Sequence, residues 1–253
     1  MPPIPPDLDH LYYYREVDGR GQVVRKDEAD TPKLTLDAGK LVLDGSSKVI
    51  DVKADYVTDG SGKPVKHSTD GADLDESDPK IAKLLADRQD EALGKGDRNK
   101  ATEALGEAAG TSFVKKTHPQ AEHIEVKDAG PGTFDQMYLD YSSNPPKFIL
   151  VEAKGGSATN SSSREVDGER VQQGTLAYAK SVWIKERERI NSMLTEKKGG
   201  DFVLPEAKRD QLRNLVINGN EAFSTNSVKY YEVSQKVNDD GTLGDMVVKE
   251  YKL

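Results

Sequence analysis

The chain has 253 residues, of which 35% are hydrophobic and 32% charged, with a net charge of −8 and no cysteine. That length suits one large domain or two small ones, the missing cysteine excludes disulfides and thiolate metal sites, and no apolar run approaches the roughly 20 residues of a membrane-spanning helix. The opening Met-Pro-Pro-Ile-Pro-Pro lacks the basic and apolar regions of a secretory signal, so a soluble protein is expected, with any export by a signal-peptide-independent route.

Along the chain, residues 1–10 read as an extended, disordered Pro-rich stub. Residues 11–57 read as β-structure. Short strands are expected at Tyr12-Tyr13-Tyr14, Gln22 to Arg25, Lys33 to Leu36 and Lys40 to Leu43, with turns at Asp18-Gly19, Ala38-Gly39 and Asp44-Gly45. Gly, Ser, Asp and Pro dominate 58–78, which reads as a linker or long loop. The period then changes. Ile81, Leu84 and Leu85 predict one helical face, and after Gly94 to Gly96 a second face runs through Ala101, Leu105, Ala109 and Phe113.

Strand character returns around 123–139, interrupted by Gly130-Pro131-Gly132, and Phe148-Ile149-Leu150-Val151 is the strongest buried-strand signal. Residues 155–168 read as a polar loop. A long helix is expected from Val171 to about Leu194, with Leu176, Ala179, Val182 and Trp183 on its apolar side. Strands at 228–234 and 245–252 close the chain around Asp239-Asp240-Gly241. The expected organisation is a β-rich region over 1–78 and an α/β domain over 79–253.

Acidity argues against a nucleic-acid binder, because phosphates are neutralised by Lys and Arg. The distribution softens that objection: residues 147–198 carry ten Lys/Arg against seven Asp/Glu. Within this stretch lie two of seven carboxylate-x-lysine triplets, Glu152/Lys154 and Glu196/Lys198. Most of the seven are ordinary solvated pairs. Glu152 and Lys154 differ because they end an apolar strand, where alternate residues share a face about 7 Å apart. Charged groups there are expensive unless they bind something. Asp135, near the start of the preceding strand, supplies a second carboxylate. A site of two carboxylates suits Mg²⁺ or Mn²⁺, which take hard oxygen ligands, waters and substrate phosphate. His10, His67, His118 and His123 have no suitably placed partners for a competing histidine metal site, and Trp183 and Tyr138 read as core.

Phe134-Asp135-Gln136-Met137-Tyr138, then Val151-Glu152-Ala153-Lys154-Gly155-Gly156, then Gln173-Gly174-Thr175 with Tyr178 resemble the PD-(D/E)XK (restriction-endonuclease-like) toxin domains of bacterial polymorphic toxins, over roughly residues 100–195. The resemblance implies a mixed sheet flanked by helices in the order αβββαβ, and Mg²⁺-dependent phosphodiester hydrolysis, of DNA by preference or of tRNA. It implies Asp135, Glu152 and the carbonyl of Ala153 as metal ligands, Lys154 as the catalytic lysine, and Glu107 as a helix glutamate of the site. Gln173 would face the site from the helix after the core strands, with Gln172 as the alternative. The Gln-x4-Tyr spacing departs from the Gln-x3-Tyr of related exonucleases, and no proline precedes Asp135. A toxin of this kind would act in the cytoplasm of a target cell and be neutralised by an immunity protein. The other readings are a housekeeping repair exonuclease and a non-catalytic binding module that keeps the fold.

Overall fold

A computed structural model describes the backbone of strands at 12–17, 20–25, 34–37, 40–43 and 51–52, and residues 53–63, 74–126, 133–156, 162–166 and 169–253 in full. The Pro-rich stub, the turns at 18–19, 38–39 and 44–45, the middle of the 58–78 linker and Gly130-Pro131-Gly132 lie outside the described residues. The chain forms two compact units, Met1–Ile50 and Asp51–Leu253.

In the first unit, β1 (Tyr12–Val17), β2 (Arg20–Arg25), β3 (Leu34–Asp37) and β4 (Lys40–Leu43) pair in sequence order as an antiparallel four-stranded sheet. These are the strands expected from the alternation.

The second unit is mixed α+β. Its first segment, β5 (Asp51–Val52), belongs to it and not to the N-terminal region, so this unit starts well before residue 79. Helix α1 (Pro79–Gln89) starts where Asp78 caps the Lys80 N–H at 2.8 Å and proline occupies the first turn. It packs on α2 (Lys95–Thr117). The central sheet has the order β14-β13-β8-β7-β6, from β6 (Ala121–His123), β7 (Gln136–Asp140), β8 (Lys147–Gly155), β13 (Lys229–Val237) and β14 (Leu243–Glu250). Strand β13 runs parallel to β8, and the other neighbours are antiparallel.

Both faces of the sheet are covered, which is why β7 is buried along its whole length and the front of β8 carries an unbroken apolar run. On one face Ala109, Phe113 and Val114 of α2 pack on Tyr138, Ile149, Val151, Tyr231 and Val233. On the other, Phe148, Leu150, Leu139 and Tyr230 pack on Tyr178, Val182 and Trp183 of α3 (Leu176–Thr195) and Leu212, Leu215 and Phe223 of α4 (Glu206–Ser224). Trp183 and Tyr138 are core residues, as expected.

Helix α2 sits unusually close to β8. A Cβ on Gly155 would lie 1.8 Å from the Thr102 carbonyl oxygen, and one on Gly106 would lie 2.8 Å from the Gly155 nitrogen. Only a residue without a side chain permits backbone to approach backbone like this.

Between β8 and β13 the structure corrects the sequence reading. The stretch 155–168 is not all loop: β9 (Ser163–Val166) pairs antiparallel with β10 (Glu169–Gln172), and β10 pairs parallel with β5. Helix α3 therefore starts at Leu176, capped by Thr175, and not at Val171. Strand pairing claims 169–172, and Gly174, at φ +93°, stops the helix from extending backward. The helix α4 and the short hairpin of β11 (Lys197–Lys198) and β12 (Asp201–Phe202) were not anticipated.

Candidate active site

The exposed end of β8 holds the site. Phe148 to Val151 are fully buried, and the strand carries Glu152 into the same environment, at 1% exposure. Phe148, Leu150 and Glu152 alternate onto the α3 face. There Tyr230, one strand over and in register with Leu150, donates its hydroxyl to Glu152 Oε1. The Gln173 side chain also comes up to this carboxylate and favours its charged form. Lys154, two residues on, places its Nζ 3.8 Å from Glu152 Oε2 and 3.8 Å from Asp135 Oδ2. One ammonium therefore lies between two carboxylates, whose oxygens are no further apart than twice that distance.

Asp135 sits just ahead of β7, where the ladder with β8 stops at Gln136 and Val151. Its Oδ2 takes the place of a strand partner and accepts the Ala153 N–H at 2.8 Å. A strand residue offers its N–H and C=O to the same side. The carbonyl of Ala153 thus faces the Asp135 side, beyond the last paired residue of β7.

The electrostatics follow from burial and from the company Glu152 keeps. Burial first, then the charge of Asp135, push the Glu152 carboxyl up to about 8, against the pull of Lys154, Tyr230 and Gln173. Burial raises Glu107 too, followed by Asp135 and Glu103. Tyr178, buried at the start of α3, is pushed up to about 12 by burial and then by Glu152, while the Arg164 guanidinium over its ring acts the other way.

All five side chains singled out from the sequence, together with Ala153, gather at this end of the sheet. Asp135, Glu152, Lys154 and Gln173 form one cluster by contact. Glu107 joins it more loosely from α2: its backbone carbonyl accepts Gln136 Nε2 at 2.8 Å, and its carboxyl feels the Asp135 charge. Two open clefts meet at Asp135. One, of about 380 Å³, is lined by Asn99, Thr102, Lys154 and Gly155. The other, of about 430 Å³, is lined by Glu107, His123, Gln136 and Arg189.

The two glutamines separate cleanly. Gln173 is buried in the β10–α3 turn, its Oε1 accepting the Ser162 N–H at 3.3 Å. Gln172 points elsewhere, accepting the Ala54 N–H at 3.0 Å. Gln173 reaches Glu152 from a turn and not from a helix, so the helical spacing that favoured it over Gln172 does not apply. The two histidines among the described residues do not combine, and His10 and His67 lie outside them. His118 sits by Asp140 at 3.1 Å and His123 against the Tyr138 ring, on separate elements.

Sequence reasoning missed Tyr230 and what supports it. Tyr251 packs on Tyr230 at 4.8 Å and on Tyr56 at 5.0 Å, and donates to Glu232 at 2.8 Å. The turn that carries Gln173 rests on this ring: a Cβ at Gly174 would lie 2.1 Å from it. The only signal was the adjacent pair Tyr230-Tyr231 in a strand near the C-terminus, which reads as core.

Among the described residues no group of three His, Asp or Glu gathers to cage an ion. The donors present nevertheless fit Mg²⁺ or Mn²⁺. Mg²⁺ needs only one or two carboxylates, completing its shell with water and substrate oxygens. A buried glutamate held near 8 beside a second carboxylate is a group that a divalent cation would relieve. No family model, curated protein or solved structure matches the chain.

Proposed function

We propose that the chain is a metal-dependent nuclease that hydrolyses phosphodiester bonds, with DNA as the favoured substrate and tRNA as the other candidate. The observation that carries this reading is Lys154, whose ammonium lies 3.8 Å from each of two carboxylates, one of them fully buried, at the open end of a core strand. A structural ion pair does not require a buried glutamate with a proton affinity near neutrality. With the β9–β10 and β11–β12 hairpins and α4 set aside as insertions, the order α2-β6-β7-β8-α3-β13, with β13 parallel to β8, supports the restriction-endonuclease-like reading of the fold.

Asp135, Glu152 and the carbonyl of Ala153 would hold Mg²⁺ or Mn²⁺. When bound, the ion supplies charge for the phosphate and lowers the pKa of an attached water. The remaining work belongs to the side chains. Lys154 orients the attacking water and offsets charge that builds on the phosphate. Tyr230, by donating to it, and Gln173, beside it, fix the rotamer of Glu152, so the carboxylate is positioned before substrate arrives. Glu107, whose carboxyl is raised by burial and then by Asp135, lines the cleft beside Asp135 from α2.

The antibacterial toxin role, action in a target-cell cytoplasm and a cognate immunity protein extend this proposal and rest on the motif resemblance. Incubation with plasmid DNA and with total tRNA, each with Mg²⁺ or EDTA, tests it. Cleavage of either substrate with Mg²⁺ alone, lost in Lys154→Ala, is the expected result. Binding without cleavage would identify a module that keeps the site but has no activity.

A further inference from the structure

We infer that Arg88 and Arg164 form a two-sided phosphate clamp, holding the backbone of a nucleic-acid strand across the end of β8 on either side of the acid pair; this rests on the nuclease reading above. The protein as a whole is acidic, so a polyanion must be met by cations placed locally. Among the described residues Lys154, Arg88 and Arg164 stand at this end of the sheet beside Arg189, which Glu186 already pairs. Lys154 stands between the acids and is occupied by them. Arg88 and Arg164 come from opposite faces of the sheet.

Arg88, in the last turn of α1, reaches from the α2 face. Its guanidinium lies 3.8 Å from where a Cβ on Gly156 would be, just past Lys154 and Gly155. Arg164, on β9, reaches from the α3 face. Its guanidinium stacks 5.5 Å from the centre of the Tyr178 ring and donates to Ser181 Oγ at 3.1 Å. Tyr178 is the residue whose hydroxyl feels the charges of both Glu152 and Asp135, which puts Arg164 beside the site.

Among the described residues neither guanidinium has a carboxylate within ion-pair distance. Arg189, Arg209 and Arg213 are paired with Glu186, Glu206 and Asp210. Both site arginines are half-buried, which limits their hydration and rotamer freedom. A planar guanidinium held by an aromatic face and a hydroxyl keeps donors for the two oxygens of a phosphate. The ligand implied is a strand with phosphates on both sides of the scissile one, and not a mononucleotide.

The test is equilibrium binding of the full chain to a fluorescein-labelled 24-nucleotide single strand and to its duplex, in EDTA, at 50 to 200 mM KCl. Wild type, Arg88→Ala, Arg164→Ala and the two lysine variants are compared. Each contacted phosphate contributes about 0.9 to the log–log salt slope for duplex and about 0.7 for single strand. Each alanine variant should therefore flatten the slope by about that amount, so that its deficit against wild type shrinks about threefold over this salt range. The lysine variants should keep the slope, which also controls for folding. An unchanged slope in either alanine variant overturns the clamp while leaving the nuclease reading intact. So does wild-type protein that cleaves in Mg²⁺ but does not bind in EDTA. Wild-type protein that neither binds nor cleaves overturns both.

Discussion

Replacing Glu152 by Gln should make the metal-free protein more stable, by an amount that grows with pH. The glutamate is 1% exposed and its carboxyl is carried from an ordinary 4.5 to about 8. Below pH 4.5 the acid is protonated in folded and unfolded chains alike, and burying it is tolerated. As pH rises the unfolded chain ionises first, so wild-type stability is lost between 4.5 and 8 and levels off above. At about 1.4 kcal/mol per pH unit, the penalty is ~1 kcal/mol at pH 5, ~3 at pH 7 and ~5 above pH 8. Glutamine keeps an oxygen for Tyr230 and removes the charge, so the variant should escape most of this. Urea denaturation in EDTA at pH 5, 7 and 9 measures the gap. Mg²⁺ should stabilise wild type and narrow it, with no effect on the variant. A variant less stable than wild type at every pH, or a gap that does not change with pH, would refute the claim that Glu152 is a strained, functionally retained charge.

Lys154→Ala should abolish Mg²⁺-dependent cleavage of plasmid while the circular dichroism spectrum stays that of wild type; retained cleavage by the folded variant rules out the catalytic assignment. Gly155→Ala should lose about 3 kcal/mol or more, since its methyl group would meet the Thr102 carbonyl at 1.8 Å and backbone cannot yield as a side chain can. A thermal midpoint within a degree of wild type would show that α2 does not lie so close. Gln173→Ala should reduce kcat about 100-fold with little change in KM, as expected for a group that positions Glu152. Equal effects on both constants would point instead to a lost substrate contact.

The legible parts of this chain were those where local pattern and tertiary role agree. Phe148 to Val151 could only be a strand covered on both faces, and charges at the end of such a strand demand an explanation, so Glu152 and Lys154 stood out. Alternation gave the N-terminal strands, and spacing gave α1 and α2. The start of α3 failed because Val171, Leu176 and Ala179 are compatible with one helical stripe. What breaks it is pairing of 169–172 with β9 and β5, a non-local contact invisible to periodicity, together with the left-handed Gly174. Helix α4 was missed because its buried positions, among them Arg209, Leu212, Leu215, Gly219 and Phe223, include a charge and a glycine that dilute the apolar stripe. Tyr230 could not be identified from its neighbours, because its role depends on β13 lying parallel to β8 in one particular register.

The segment from Asp51 to Val57 has a consequence for where the chain can be cut. It binds Gln172 through Ala54, bridges Tyr251 through Tyr56 and returns a backbone bond from Val57 to Glu250. Its partners are the residue next to Gln173 and the ring beneath Gly174. A fragment begun at residue 79, where composition changes, would retain Asp135, Glu152, Lys154 and Gln173 and lose the strap that holds Gln172 and the Tyr251 ring against them. Proteolysis between Val57 and Pro79 that released this segment would disarm the molecule without removing a single acid. Exchange of residues before it is therefore tolerable only up to residue 50, because the strap belongs to the same compact unit as the Glu152 cluster and must be kept with it.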